Sequence, residues 1–214
     1  MCWNKDVSLN TFIFSMTILL LIMYNNAYTK YKIKELNDRW MYLLFFSFII
    51  IQFIEYFIWL NINNPYYNNV FTICATLVFI IQPIMGIMII KNKKLRNFLL
   101  YTYLLLAIPF SIYQFNTINI YSIISEKGHL SWKSFDTPTF GCILWLFFFL
   151  FGIIYEKKWI GIIFGIITLI ITYLNYKKDN TIWSMWCWLV NSMMIYFSFY
   201  LLLYLPFVEK NDIC

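Results

Sequence analysis

The chain has 214 residues, of which 62% are hydrophobic and 12% charged, with a mean hydropathy of +0.68. Soluble domains carry about 25% charged residues, so this composition excludes a soluble globular fold and implies a membrane protein. The net charge of +6 sits in short loops between apolar runs, which reads as topology-setting charge and excludes a nucleic-acid partner. Ile, Asn, Lys and Tyr are used heavily throughout. AT-rich codons alone produce that bias, so a single Tyr, Asn or Ile carries little signal.

In chain order, the first apolar run spans 9–27. It ends in Tyr24-Asn25-Asn26-Ala27-Tyr28 without a small-x-small site, which predicts an uncleaved first helix. The second run, 40–62, carries a carboxylate, Glu55, inside Ile-Ile-Ile-Gln-Phe-Ile-Glu-Tyr-Phe-Ile-Trp. The third, 70–90, contains Gln82-Pro83; the proline should kink the helix and free a carbonyl that a neighbour must satisfy. The fourth is 98–115, with Pro109 toward its far end.

A polar segment, 116–138, follows and holds the single histidine, His129. It is too long and too aromatic for a plain turn, and a short interfacial helix or packed cap is expected. The fifth and sixth runs, 139–155 and 159–176, are joined by Glu156-Lys157-Lys158, a link short enough to make them antiparallel neighbours. Gly161 and Gly165 form a G-x-x-x-G pair, a device for close helix contact that also arises by chance in apolar sequence. The seventh run is 182–208.

The predicted fold is therefore all-α: one polytopic domain over 1–214 with seven transmembrane helices and the lipid bilayer as its first partner. Orientation follows from Lys and Arg. If the N-terminus is outside, one side receives Lys30, Lys32, Lys34, Arg39, Lys91, Lys93, Lys94, Arg96, Lys157, Lys158 and Lys210. The other receives only Lys5, Lys127, Lys133, Lys177 and Lys178. The positive-inside rule then places the N-terminus outside and the C-terminus inside.

An ionisable residue within a span is costly and is by default a functional-site hypothesis. Gln52, Glu55, Tyr56 and Trp59 recur at i, i+3, i+4 and i+7 and share one helix face. Ser184, Cys187, Asn191 and Ser198 form a comparable stripe in the last span, flanked by Trp183, Trp186 and Trp188. By depth, both stripes and the His129 loop meet in the outer half of the bundle. The inferred site is an outward-facing polar pocket made by Glu55, Gln52, Trp59, Trp186, Asn191 and His129, taking a small molecule or ion in a transporter or receptor-like protein. Three bland readings stand beside it. Glu55 is a packing carboxylate bonded to Asn191, Gln82 or Trp186; the tryptophans form an interfacial belt; and His129 is an ordinary loop residue. On the first of these, the chain is a structural or interaction protein of a membrane.

One histidine and no Asp/Glu/Cys/His cluster at ligand spacing predict no metal site and no cofactor. With no Gly-x-Ser-x-Gly or phosphate-binding loop, an enzyme is not expected. The cysteines are expected as free thiols, Cys74, Cys142 and Cys187 lying inside spans. Seven-span receptors coupled to G proteins carry an acidic-Arg-aromatic motif where this chain reads Ile90-Lys91-Asn92, rhodopsins need a lysine that 182–208 lacks, and the seven-span hydrolases need several histidines.

Three segments do carry a resemblance: Met1-Cys2-Trp3-Asn4 with Ser8-Leu9-Asn10-Thr11-Phe12, Gln52-x-x-Glu55-x-x-x-Trp59, and Trp183-Ser184-Met185-Trp186-Cys187-Trp188. Together they resemble an uncharacterised multi-pass membrane family of large DNA viruses and some microbial eukaryotes. That resemblance implies the architecture and adds no mechanism.

Overall fold

A computed structural model describes residues 4–133 and 139–211. The chain order is α1 (Lys5–Tyr28), a 3-10 turn (Lys34–Leu36), α2 (Arg39–Leu60), α3 (Pro65–Met88), α4 (Lys93–Thr117), β1 (Ser122–Ile124), β2 (Leu130–Trp132), α5 (Thr139–Tyr155) and α6 (Trp159–Tyr176). A second 3-10 turn (Lys177–Asp179) leads to α7 (Ile182–Asn191), α8 (Met193–Phe199), a π-helical turn (Tyr200–Tyr204) and α9 (Leu205–Asn211).

Helix starts are set by side chains. Asn4, Asp38, Asn64 and Asn92 each accept from backbone N–H groups of the first turn, satisfying donors that have no partner within the helix. Pro65 occupies the first position of α3, where its missing N–H costs nothing. These caps start α1, α3 and α4 four or five residues before the apolar runs begin.

Six helices are long and apolar enough to cross a membrane: Lys5–Tyr28, Arg39–Leu60, Pro65–Met88, Lys93–Thr117, Trp159–Asp179 and Ile182–Val208. The fifth expected span, α5, has 17 residues, or about 26 Å of helix against roughly 30 Å of hydrocarbon. The last span is not one regular helix. At Ser192 the amide N–H and the hydroxyl both donate to the Leu189 carbonyl (3.0 and 2.6 Å), tightening the turn between α7 and α8. The π turn then precedes Pro206, which has no N–H to return to the helix.

Pro83 frees the carbonyl of Phe79, four residues earlier, and the indole N–H of Trp145 on α5 donates to that oxygen at 3.0 Å. The Tyr103 hydroxyl on α4 donates to the next carbonyl, Ile80, at 2.6 Å. The carbonyl that Pro83 leaves without its helical donor is thus answered by a side chain from a neighbouring helix. Just beyond it, α3 and α5 touch backbone to backbone. A Cβ on Gly86 would strike the Phe149 carbonyl, and one on Gly152 would strike the Gly86 carbonyl. These are the glycines of close approach. The G-x-x-x-G pair does not serve that purpose: a Cβ on Gly165 would meet nothing within 4 Å, and one on Gly161 only Ile153 at 3.9 Å.

The core is aromatic. Trp145 stacks between Phe79 (4.0 Å) and Phe149 (4.9 Å), and Trp186 packs edge-on against Phe48, Phe149 and Trp145. Offset stacks and T-shaped pairs of this kind add to the burial of the rings themselves.

Polar clamps hold the two ends. At the basic end, Asn26 accepts from the Ile33 N–H (2.7 Å) and donates to the Ile33 carbonyl (3.2 Å) and to Tyr42 Oη (2.8 Å), pinning the loop after α1. There too, Glu156 accepts from the Lys91 N–H (2.8 Å) and Lys158 Nζ donates to the Glu35 carbonyl (3.0 Å). At the opposite end, the expected interfacial helix or packed cap is an antiparallel hairpin, β1 paired with β2. Asn68 on α3 treats β1 as a strand would: it accepts from the Ser122 N–H (2.9 Å) and donates to the Ser122 carbonyl (2.9 Å). Thr72 Oγ1 lies 2.8 Å from Ser122 Oγ, and Asn69 donates to the Ile120 carbonyl. On its other edge the hairpin meets the α6–α7 connection, where Ser131 donates to the Asn180 carbonyl (3.0 Å) and Lys127 pairs with Asp179 (2.8 Å).

Candidate functional site

The polar face of α2 is buried as the periodicity requires. Glu55 is 3% exposed and sits five residues from the end of α2. Its Oε2 accepts from Gln52 Nε2 at 3.0 Å, the i to i+3 pair on one helix face. Its Oε1 accepts from Ser184 Oγ at 2.6 Å, a link across the bundle to α7. Among the described residues Glu55 has no cationic partner. The expected alternatives for its bonding, Asn191, Gln82 and Trp186, are not its partners; Ser184 and Gln52 are. A carboxylate away from water needs such donors, because burial without them is prohibitively costly.

Beside Glu55 lies a cavity of about 10 Å³, lined also by Ser8, Gln52, Trp59, Leu130 and Trp188. Its volume is that of a single water. Four helical or strand elements meet there: α1 through Ser8, α2, β2 through Leu130, and α7 through Ser184. Gln52, Glu55 and Trp59 are thus brought together, as their spacing predicts.

The other three predicted site residues lie elsewhere. Trp186 turns into the core, its indole N–H shared between the Gly165 carbonyl (3.3 Å) and Thr168 Oγ1 (3.2 Å) on α6. Trp183 packs on Phe79 and Trp145, and Trp188 donates to Thr11 Oγ1 at 3.0 Å. Each of the three therefore bonds or packs against other helices, which an interfacial belt does not require. Asn191 donates to the Phe48 carbonyl (3.0 Å) and to the Cys187 carbonyl (2.8 Å). Phe48 is one turn before Gln52, so Asn191 stands about one helical pitch, 5.4 Å, from the Gln52 level. Its Oδ1 and the Oε1 of Gln52 are both enclosed and without a donor among the described residues.

His129 belongs to the hairpin. It is buried edge-on against Tyr176 (5.1 Å), while its backbone is bonded to Ser125. Burial pushes its imidazole pKa below the ordinary value; the Asp179 carboxylate opposes that shift and Lys127 adds to it. Its neighbour Leu130, not His129, lines the Glu55 cavity.

Gln82 is fully enclosed, and neither of its amide atoms has a partner among the described residues. Cys74 and Cys187 are free thiols, while Cys2 and Cys214 lie outside the described residues. Among the described residues no group of three or more His, Cys, Asp and Glu could hold a metal ion.

No protein-family model, curated protein or solved structure matches this chain. What the site does is therefore read from its own residues. Ser184 was legible as the first member of the α7 stripe. Ser8 and Leu130 carry no sequence signal that ties them to Glu55, because their approach depends on how α1 and the hairpin fold back over α2.

Proposed function

We propose that the protein is a seven-span integral membrane protein, N-terminus outside and C-terminus inside, in which Glu55 binds and releases a proton or a small monovalent cation from the outer side. The observation that carries this reading is the Glu55 carboxylate itself: enclosed in a helix apolar enough to span a membrane, without a cationic partner, and bordering a water-sized cavity. One amide oxygen without a donor among the described residues, Gln52 Oε1, lies within about one turn of it and favours a positive charge there, with Asn191 Oδ1 a further turn away. A cavity of about 10 Å³ favours an ion over the small organic molecule that the sequence equally allows. On this reading the protein is a carrier or receptor-like protein for an ion. Its seventh span is α5, accommodated by local thinning of the bilayer. Membership of the viral and microbial multi-pass family is part of the same proposal.

A second reading has its own support. The Ser184–Glu55–Gln52 bonds tie α2 to α7, as a purely structural carboxylate would. The two separate in proteoliposomes. Wild-type protein is expected to pass protons or Na⁺ down a gradient, and Glu55→Gln to abolish the flux while leaving the melting temperature nearly unchanged. Absence of flux from both proteins, with a destabilised variant, would establish the structural role instead. Cysteines placed at Lys93 and Lys133 in a background without native cysteines should label from opposite sides; labelling from one side would overturn the seven-span arrangement.

A further inference from the structure

We propose that the cleft between α3, α4 and α5 is a binding site for one acyl chain of a bilayer lipid. The cleft has a volume of about 300 Å³, at the lower end of the range for ligand pockets. One wall is a continuous stripe of α4: Tyr103, Leu106, Ala107, Phe110, Ser111 and Gln114, spaced as successive turns of one helix face.

The floor and the mouth differ. Thr76 and Trp145 line the floor and are 2% and 9% exposed, while Phe140 at the mouth is 73% exposed. The mouth is continuous with the apolar outer face of α4, where Tyr101, Leu105, Ile108 and Ile112 are all exposed. In a membrane that face meets hydrocarbon, so hydrocarbon is what stands at the entrance.

The lining selects against charge. None of its residues is charged. Its hydroxyls are already committed to backbone carbonyls: Thr76 to Thr72, Ser111 to Ala107 and Tyr103 to Ile80. A ligand therefore gains little from donors or acceptors and gains chiefly from apolar burial and dispersion. A flexible saturated or unsaturated chain fits that chemistry, and a charged or sugar-like ligand does not. The site is separate from Glu55, and it rests on the membrane-spanning reading of the chain.

The test uses the full chain in phosphatidylcholine vesicles doped with a phospholipid carrying a diazirine on its acyl chain, followed by irradiation and peptide mapping. Adducts are expected on the cleft floor at Thr76 and Trp145, and also at Leu174 on the exposed face of α6. Ala107→Phe fills the cleft and is expected to lower the floor adducts several-fold while leaving Leu174 labelled. If that variant does not elute as a folded species, Gly141→Val serves, since a Cβ at Gly141 meets only Phe110 Cζ at 3.9 Å. Labelled Leu174 with an unlabelled floor, or floor labelling indifferent to the filling variant, overturns the proposal. Absence of adducts at Leu174 as well overturns the membrane-spanning reading beneath it.

Discussion

Trp145→Phe removes one hydrogen bond and keeps most of a stack. The phenyl ring still lies between Phe79 and Phe149, which the indole contacts at 4.0 and 4.9 Å. What is lost is the N–H that donates to the Phe79 carbonyl at 3.0 Å. Pro83 cannot replace it, so the oxygen is left unpaired in an apolar interior. Leaving a buried acceptor unsatisfied costs about 1–3 kcal/mol, and side-chain bonds inside membranes are worth about 0.6 kcal/mol on average and up to about 1.7. A loss of about 1–2 kcal/mol is expected. Pro83→Ala restores the amide that would ordinarily serve Phe79, so in that background Trp145→Phe should cost markedly less, with a coupling of about 1 kcal/mol. Unfolding of the four proteins by sodium dodecyl sulfate in mixed micelles measures the cycle. Additivity to within about 0.3–0.5 kcal/mol would refute the claim that Trp145 is the partner of the proline-freed carbonyl.

Gly152→Ala sets a methyl against the Gly86 carbonyl, and overpacking at a contact that cannot yield is expected to cost about 1–3 kcal/mol, read in the same unfolding assay; an unchanged midpoint would show that α3 and α5 do not touch there. Asn68→Ala strips both backbone bonds from Ser122 and should raise hydrogen exchange across Ser122–Ile124 and Leu130–Trp132 while α6 amides stay protected. Burial pushes the imidazole pKa of His129 down. Because its folded pKa lies below its unfolded value of about 6.5, the unfolded chain binds more protons, and the hairpin's stability is full above that pH and declines as pH falls below it. Hairpin exchange should therefore accelerate on acidification, and His129→Gln should remove that acceleration.

The apolar helical stretches were legible because each is one long apolar run in the sequence, and the true starts of three were missed because capping by Asn4, Asn64 and Asn92 adds a polar first turn that hydropathy does not see. Pro83 announced a freed carbonyl, but that Trp145 answers it depends on how α5 crosses α3. The hairpin was hidden because strands of three residues are too short to show alternation. Asn26 and Asn68, which pin the loops at the two ends, were lost in a composition where asparagine is common. Within the site, helical spacing puts Gln52, Glu55 and Trp59 on one face, and the three line one cavity. Trp186 and Asn191 bond elsewhere, because depth along a span fixes level and leaves the direction a side chain takes open.

Infrared difference spectroscopy of the Glu55 carboxyl in vesicles shows whether this group takes up and releases protons from the outer side. Glu55→Gln identifies the band, and the pH outside the vesicles is stepped between about 5 and 9 while the interior is held constant. A carboxyl band is expected that is absent from the variant, follows the external pH in intensity and shifts on exchange into deuterated water. A band that does not change with external pH would contradict it and leave Glu55 as a locked contact between α2 and α7.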